Sequence, residues 1–127
     1  EQLIELLCYA LVLSGNHVYT SGAPGTNAAA VRGCLRAEDP SLLTVILPQS
    51  LTRQPVESQE LLGKVEDLRT LGHDDLSLDA ASRLCNSELL AETDQLVAIA
   101  FHDSDTVIEA TREAKALDMV VTILYLD

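Results

Sequence analysis

His17–Leu35 reads HVYTSGAPGTNAAAVRGCL, and the order of its parts decides the fold. His17-Val18-Tyr19-Thr20 has the make-up of a short strand, and Ser21-Gly22-Ala23-Pro24-Gly25 that of a tight turn. Asn27 to Ala37 then takes up helical spacing until Asp39-Pro40 breaks it. A strand that turns straight into a helix is the first half of an α/β unit. Gly22 and Gly25 let the backbone turn sharply and come close to a ligand. The first amides of the following helix lie at the positive end of its dipole, which favours a phosphate or carboxylate. Ser21, Thr26 and Asn27 add polar side chains to the same turn. The stretch is neither G-x-G-x-x-G nor a P-loop, since no Gly-Lys-Ser/Thr follows. Two glycines three apart also suit a plain strand–helix connection, and both readings stand at this point.

Outward from this stretch the pattern repeats. Gln2–Leu13 carries Leu3, Ile4, Leu7, Cys8 and Leu11 at the spacing of a helix buried along one face, ended by Ser14-Gly15-Asn16. Leu42–Leu47 (LLTVIL) reads as a buried strand closed by Pro48, and Gln49–Pro55 as loop. Val56–Leu71 has Leu61, Leu62, Val65 and Leu68 at helical spacing, which predicts a surface helix broken near Gly63 or Gly72. Gly72-His73-Asp74-Asp75 is a turn, and Ser77 is an N-cap for a helix from about Leu78 to Glu92. Gln95–Phe101 is a further apolar strand, Ser104 caps a helix Asp105–Leu117, and Val120–Leu126 is the last strand. The expected order is helix, strand, helix, strand, helix, helix, strand, helix, strand. Such alternation implies parallel strands joined by right-handed crossovers. The expectation is one domain, residues 1–127, in three layers: a Rossmann-like parallel sheet of at least four strands with helices on both faces.

The chain has 127 residues, enough for such a domain. Hydrophobic residues make up 47% but aromatics only 3%, so Leu, Val, Ile and Ala must build the core. Acidic residues outnumber basic ones by 20 to 8, for a net charge of −12. That balance opposes polyanions and anionic membrane surfaces unless the few cations are gathered in one place. It is compatible with a protein partner carrying basic residues or a metal, and equally with charge that serves solubility alone. No stretch is apolar enough for long enough to span a bilayer, and no signal peptide is seen. Cys8, Cys34 and Cys85 are isolated from one another and from any His at ligand spacing. They read as buried free thiols, with no metal site, in a reducing compartment.

Two other segments carry polar groups suited to a ligand. His102-Asp103-Ser104-Asp105-Thr106 follows a strand, and ligands of open α/β sheets bind beyond the carboxyl ends of strands. Ser104 and Thr106 are its anion contacts; His102 reads either as a general base or as a solvated loop residue. Arg83-x-x-Asn86 puts two polar groups on one helix face, where Arg83 supplies a cation or pairs with Asp79 or Glu88. Arg32 and Arg36 on the helix after the glycine turn offer the same choice. No catalytic residue set can be named: there is no Ser-His-Asp set, no HExxH and no paired carboxylates. No cofactor is implied.

Ser21–Leu35, S-G-A-P-G-T-N followed by A-A-A-V-R-G-C-L, resembles the DNA-processing protein A (DprA/Smf) family of DNA recombination mediators. That family shows S-G-x-A-x-G-I-D and then a helix of the kind A-A-A-H-R-G-A-L. Leu43–Pro48 is similar to its next strand. Asn86–Asp94, an apolar strand, Ser104-Asp105-Thr106 and a helix are similar to its R-N-R-I-I-A-G-L-S-D, strand, S-G-T, helix. The resemblance runs over nearly the whole chain from Leu3 and is nearest a divergent branch associated with cyanobacteria and plastids. Asn27 stands where the family has Asp, Val31 where it has His, and of R-N-R only Asn86 is kept.

The resemblance implies a Rossmann-like domain whose first strand precedes Glu1, leaving the chain incomplete at its start and the strand at His17 without a neighbour. It implies a non-catalytic module binding a nucleotide phosphate or single-stranded nucleic acid through Ser21, Gly22, Gly25, Thr26, Asn27, Asn86 and Ser104, with Arg83 and Arg32 as cations. The charge of −12 weakens the nucleic-acid partner. An alternative is an accessory subunit of a larger, photosynthetic or plastid assembly that has lost the ligand. A second is a phosphoribohydrolase acting on nucleoside monophosphates, as in the lysine-decarboxylase-like members of the same wider group. Their P-G-G-x-G-T-x-x-E stretch corresponds to His102–Glu109, which has no glycine. The expected location is the cytoplasm or the plastid stroma, not outside the cell.

Overall fold

The computed structural model describes residues 2–23, 25–100 and 105–125. Helices and strands alternate strictly: α1 (Gln2–Leu13), β1 (Val18–Ser21), α2 (Thr26–Arg36), β2 (Leu43–Leu47), α3 (Val56–Leu62), β3 (Asp67–Thr70), α4 (Leu78–Ala91), β4 (Gln95–Ala100), α5 (Asp105–Ala116) and β5 (Val120–Tyr125). The protein is a mixed α/β fold, and every described strand pairing is parallel. The chain divides into two compact units, 1–85 and 86–127, with the boundary inside α4. No linker marks that boundary in the sequence.

In the first unit the sheet order is β1-β2-β3. Thr20 of β1 stands opposite Val45, and Val45 opposite Leu68 of β3. β2 has both edges paired, and all five of its residues are buried. This explains the unbroken apolar run LTVIL: an interior parallel strand meets a covering layer on each face. In the second unit β4 and β5 form a two-stranded parallel sheet, Gln95 opposite Val120 through Ala100 opposite Tyr125.

One expected element is corrected. Val56–Leu71 is not a single helix. The helix stops at Leu62, where the amides of Gly63, Lys64 and Val65 close back onto Gln59, Leu61 and Leu62. Asp67–Thr70 then runs as β3 along the second edge of β2. Leu61, Leu62, Val65 and Leu68 fit a helical period, yet satisfying the backbone of β2 outweighs that local pattern. Two consecutive helices in the expected order therefore become helix, strand, helix.

α1 ends in a Schellman motif: Gly15 N–H donates to Val12 O and Asn16 N–H to Leu11 O, with Gly15 at φ 87°. Its buried line is Ile4, Cys8 and Val12, whereas Leu3, Leu6 and Leu13 are exposed. The expected membership of Leu3 in the buried stripe is thus corrected, because the packed face of the helix is centred on Ile4 and Cys8. α1 packs chiefly on α2. Gly33 makes that possible: a Cβ there would overlap the backbone carbonyl of Glu5. Ser77 caps α4 as expected, its Oγ accepting from Ala80 N–H at 3.2 Å. No helix among the described residues is long and apolar enough to cross a membrane.

At the amino end of the three-stranded sheet a polar chain crosses all three strands. Nε2 of His17 lies 2.8 Å from Thr44 Oγ1, which donates to Asp67 Oδ2 at 2.7 Å, and Arg69 pairs with the same oxygen at 3.1 Å. Thr44 is fully buried, so its hydroxyl must be satisfied within the fold. The Thr44 hydroxyl, and then the Arg69 guanidinium, hold the Asp67 carboxyl below the ordinary carboxylate range.

Candidate functional site

The turn between β1 and α2 lies at the carboxyl end of the parallel strands, where such folds place their ligands. It brings Ser21, Gly22, Gly25, Thr26 and Asn27 together. Its two glycines serve different ends. Gly22 is buried, and a Cβ there would overlap Leu47 Cδ2 and stand 3.0 Å from Leu62 Cδ1. Gly22 therefore lets the turn pack down on the ends of β2 and α3. Gly25 has φ 80° and ψ −122°, a conformation costly for any other residue, with open space where a Cβ would be.

Gly25 is also the N-cap of α2, and no side chain caps the helix. The first backbone bond of the helix is Ala29 N–H to Gly25 O at 3.0 Å, so the amides of Thr26, Asn27 and Ala28 precede the hydrogen-bonded ladder. Asn27 is fixed from the strand: Thr20 Oγ1 donates to its Oδ1 at 2.6 Å. That bond leaves the Asn27 NH2 as the donor end of the carboxamide. A carboxylate in this position would oppose an anion; the neutral amide does not.

The cations are engaged elsewhere. Arg32 lies 3.6 Å from Glu5 Oε2 and Arg36 3.3 Å from Glu5 Oε1, with the Arg36 guanidinium 5.1 Å above the Tyr9 ring. Both arginines thus face α1 and help hold it to α2. Arg83 pairs with Asp79 one turn earlier on α4, at 3.4 Å on the surface. Asn86 is a half-buried residue of α4 and belongs to the unit 86–127. Ser104, with His102 and Asp103, lies outside the described residues.

Residues that the sequence did not single out complete this end of the sheet. After β2, Ser50 donates through both its backbone N–H (2.7 Å) and its hydroxyl to the Asp74 carboxylate of the loop after β3. Gln49 donates to Leu76 O at 3.0 Å and Thr70 to Gln49 O at 3.0 Å. The two bonds from Ser50, side chain first, then the nearby Arg53, hold the Asp74 carboxyl below its ordinary range. The β2 and β3 loops are thereby locked to each other, while the β1 turn shares none of these bonds. Nothing in the spacing of Ser50 and Asp74 signals the pair, since β3 itself was hidden. Among the described residues no group of three His, Cys, Asp or Glu is placed to hold a metal.

Comparison with family models, with curated proteins and with solved structures finds no match to this chain.

Proposed function

We propose that the chain is a non-catalytic, Rossmann-like binding module of the DprA-like kind, which grips one phosphate group of a nucleotide at the β1–α2 turn. The observation that carries this reading is the uncapped amino end of α2, where Gly25 holds an open backbone and Thr26, Asn27 and Ala28 present unladdered amides. The Asn27 NH2, oriented by Thr20, adds a neutral donor. A single phosphate suits this turn better than a nucleic-acid strand, because the chain carries −12 and Arg32 and Arg83 pair with Glu5 and Asp79. The three-layer arrangement is part of the same proposal, supported by the parallel β1-β2-β3 sheet and the strict alternation of elements.

Titration with AMP and with inorganic phosphate, followed by amide chemical shifts, tests it. The expected result is saturable shifts at Thr26, Asn27 and Ala28 with AMP, and none of comparable size with adenosine. Equal shifts with adenosine, or none with AMP, would remove the reading. Labelled oligo-dT at two salt concentrations tests the nucleic-acid form, for which weak, salt-sensitive binding is expected.

The accessory-subunit reading has one observation in its favour: Leu3, Leu6 and Leu13 are 68%, 56% and 60% exposed along α1, next to the charge-free edge strand β1. It predicts a stoichiometric protein partner in native extract that the triple variant Leu3→Glu, Leu6→Glu, Leu13→Glu fails to retain. Equal retention by the variant would count against it.

A further inference from the structure

Helices commonly pack with axes about 8–10 Å apart, set by the side chains between them. α1 and α2 come closer than that contact normally allows, because Gly33 places bare backbone against the Glu5 carbonyl with no room for a Cβ. Cys8 lies three residues after Glu5, on the same face of α1, and Cys34 directly follows Gly33. Both thiols are free and buried, 7% and 2% exposed, and they hydrogen-bond to each other across the crossing. Cys85 is elsewhere, with its Sγ donating to Ile46 O at 3.1 Å.

We propose that Cys8 and Cys34 form a disulfide that staples α1 to α2 when the chain meets a low-molecular-weight disulfide. A disulfide needs Cα atoms roughly 4.4–6.8 Å apart, a distance that only a close helix crossing supplies. The Cys8 thiolate attacks one sulfur of the small disulfide; that S–S bond breaks and one small thiolate leaves. Cys34 then gives up its proton and attacks the Cys8 sulfur of the mixed disulfide. The Cys8–Cys34 bond forms and the second small thiolate departs. Two cysteine thiols are oxidised by two electrons, and the reagent is reduced to two thiols.

The order of attack follows from the hydrogen bond between the two thiols. The S–H of Cys34 points to the Cys8 sulfur and favours its thiolate, while the same bond and burial push the Cys34 thiol up. Burial makes the reaction wait on local opening of α1, so it is slow and selective. The product fixes the helix that leads into β1 and the glycine turn.

The test is oxidation of the folded, reduced protein with oxidised glutathione, followed by alkylation under denaturing conditions and tryptic mapping. Cleavage at Arg32 and Arg36 separates the peptide 1–32, bearing Cys8, from 33–36, bearing Cys34. The expected result is these two peptides joined with loss of two hydrogens, Cys85 alkylated, and a thermal midpoint raised by roughly 10 °C until reductant is added. The Cys34→Ser variant should stop at a glutathione adduct on Cys8. Alkylation of Cys8 and Cys34 after oxidation, a link to Cys85, or a stable glutathione adduct in the wild-type chain would overturn the proposal. If Cys34→Ser does not fold, the wild-type map decides alone.

Discussion

The two ends of α2 are built on opposite plans. Its amino end is open: Gly25 turns the chain with a positive φ, nothing fills the space beside it, and no side chain caps the helix. Its carboxyl half is closed: Gly33 lies on the Glu5 backbone, Cys34 meets Cys8, and Arg32 and Arg36 both reach Glu5. One helix thus carries a glycine for backbone conformation and another for close packing. The difference teaches that closure of the far end lets the near end stay bare. A helix anchored along its length by tertiary contact does not depend on a cap.

Substitutions at the glycines can break this contrast. Gly33→Val should have the largest effect, about 3 kcal/mol of lost stability in urea denaturation, because backbone opposes the new side chain and cannot swing aside. A loss below about 1 kcal/mol would show that α1 and α2 can part without harm. Gly22→Ala should cost about 2 kcal/mol, since Leu47 and Leu62 are packed but can repack in part.

Gly25→Ala separates conformation from packing. The methyl meets nothing, so the expected cost of about 1 kcal/mol is backbone strain alone. If the amino end of α2 grips phosphate, AMP affinity should fall by more than stability does. Equal binding by this variant would dissociate the open end from ligand. The smallest effect belongs to Glu5→Gln, which removes the partner of both arginines. These are half-exposed surface pairs, so chemical denaturation should register no more than about 1 kcal/mol, shrinking in high salt.

How far the sequence could be read depends on whether the signal was local. LTVIL reads as a buried strand without help, and so do the turn before Asn27 and the Ser77 cap. β3 was not legible. Asp-Leu-Arg-Thr has one apolar residue in four and sits in a stretch whose leucines keep helical time. Only the second edge of β2 makes it a strand. Of the candidate site, the uncapped turn was visible in the glycine spacing, but the destinations of Arg32 and Arg83 were left open. A long side chain chooses among partners that the fold brings near.

Local composition alone therefore determined the alternating elements, the apolar interior strand and the glycine-bearing turn, because period and turn chemistry act between near neighbours in the chain. Tertiary structure alone decided that Gly22 and Gly33 are packing glycines, that Thr20 orients Asn27, that Ser50 holds Asp74, and that Cys8 meets Cys34. Each of these joins residues on different elements, and such contacts exist only once strands and helices have found their register.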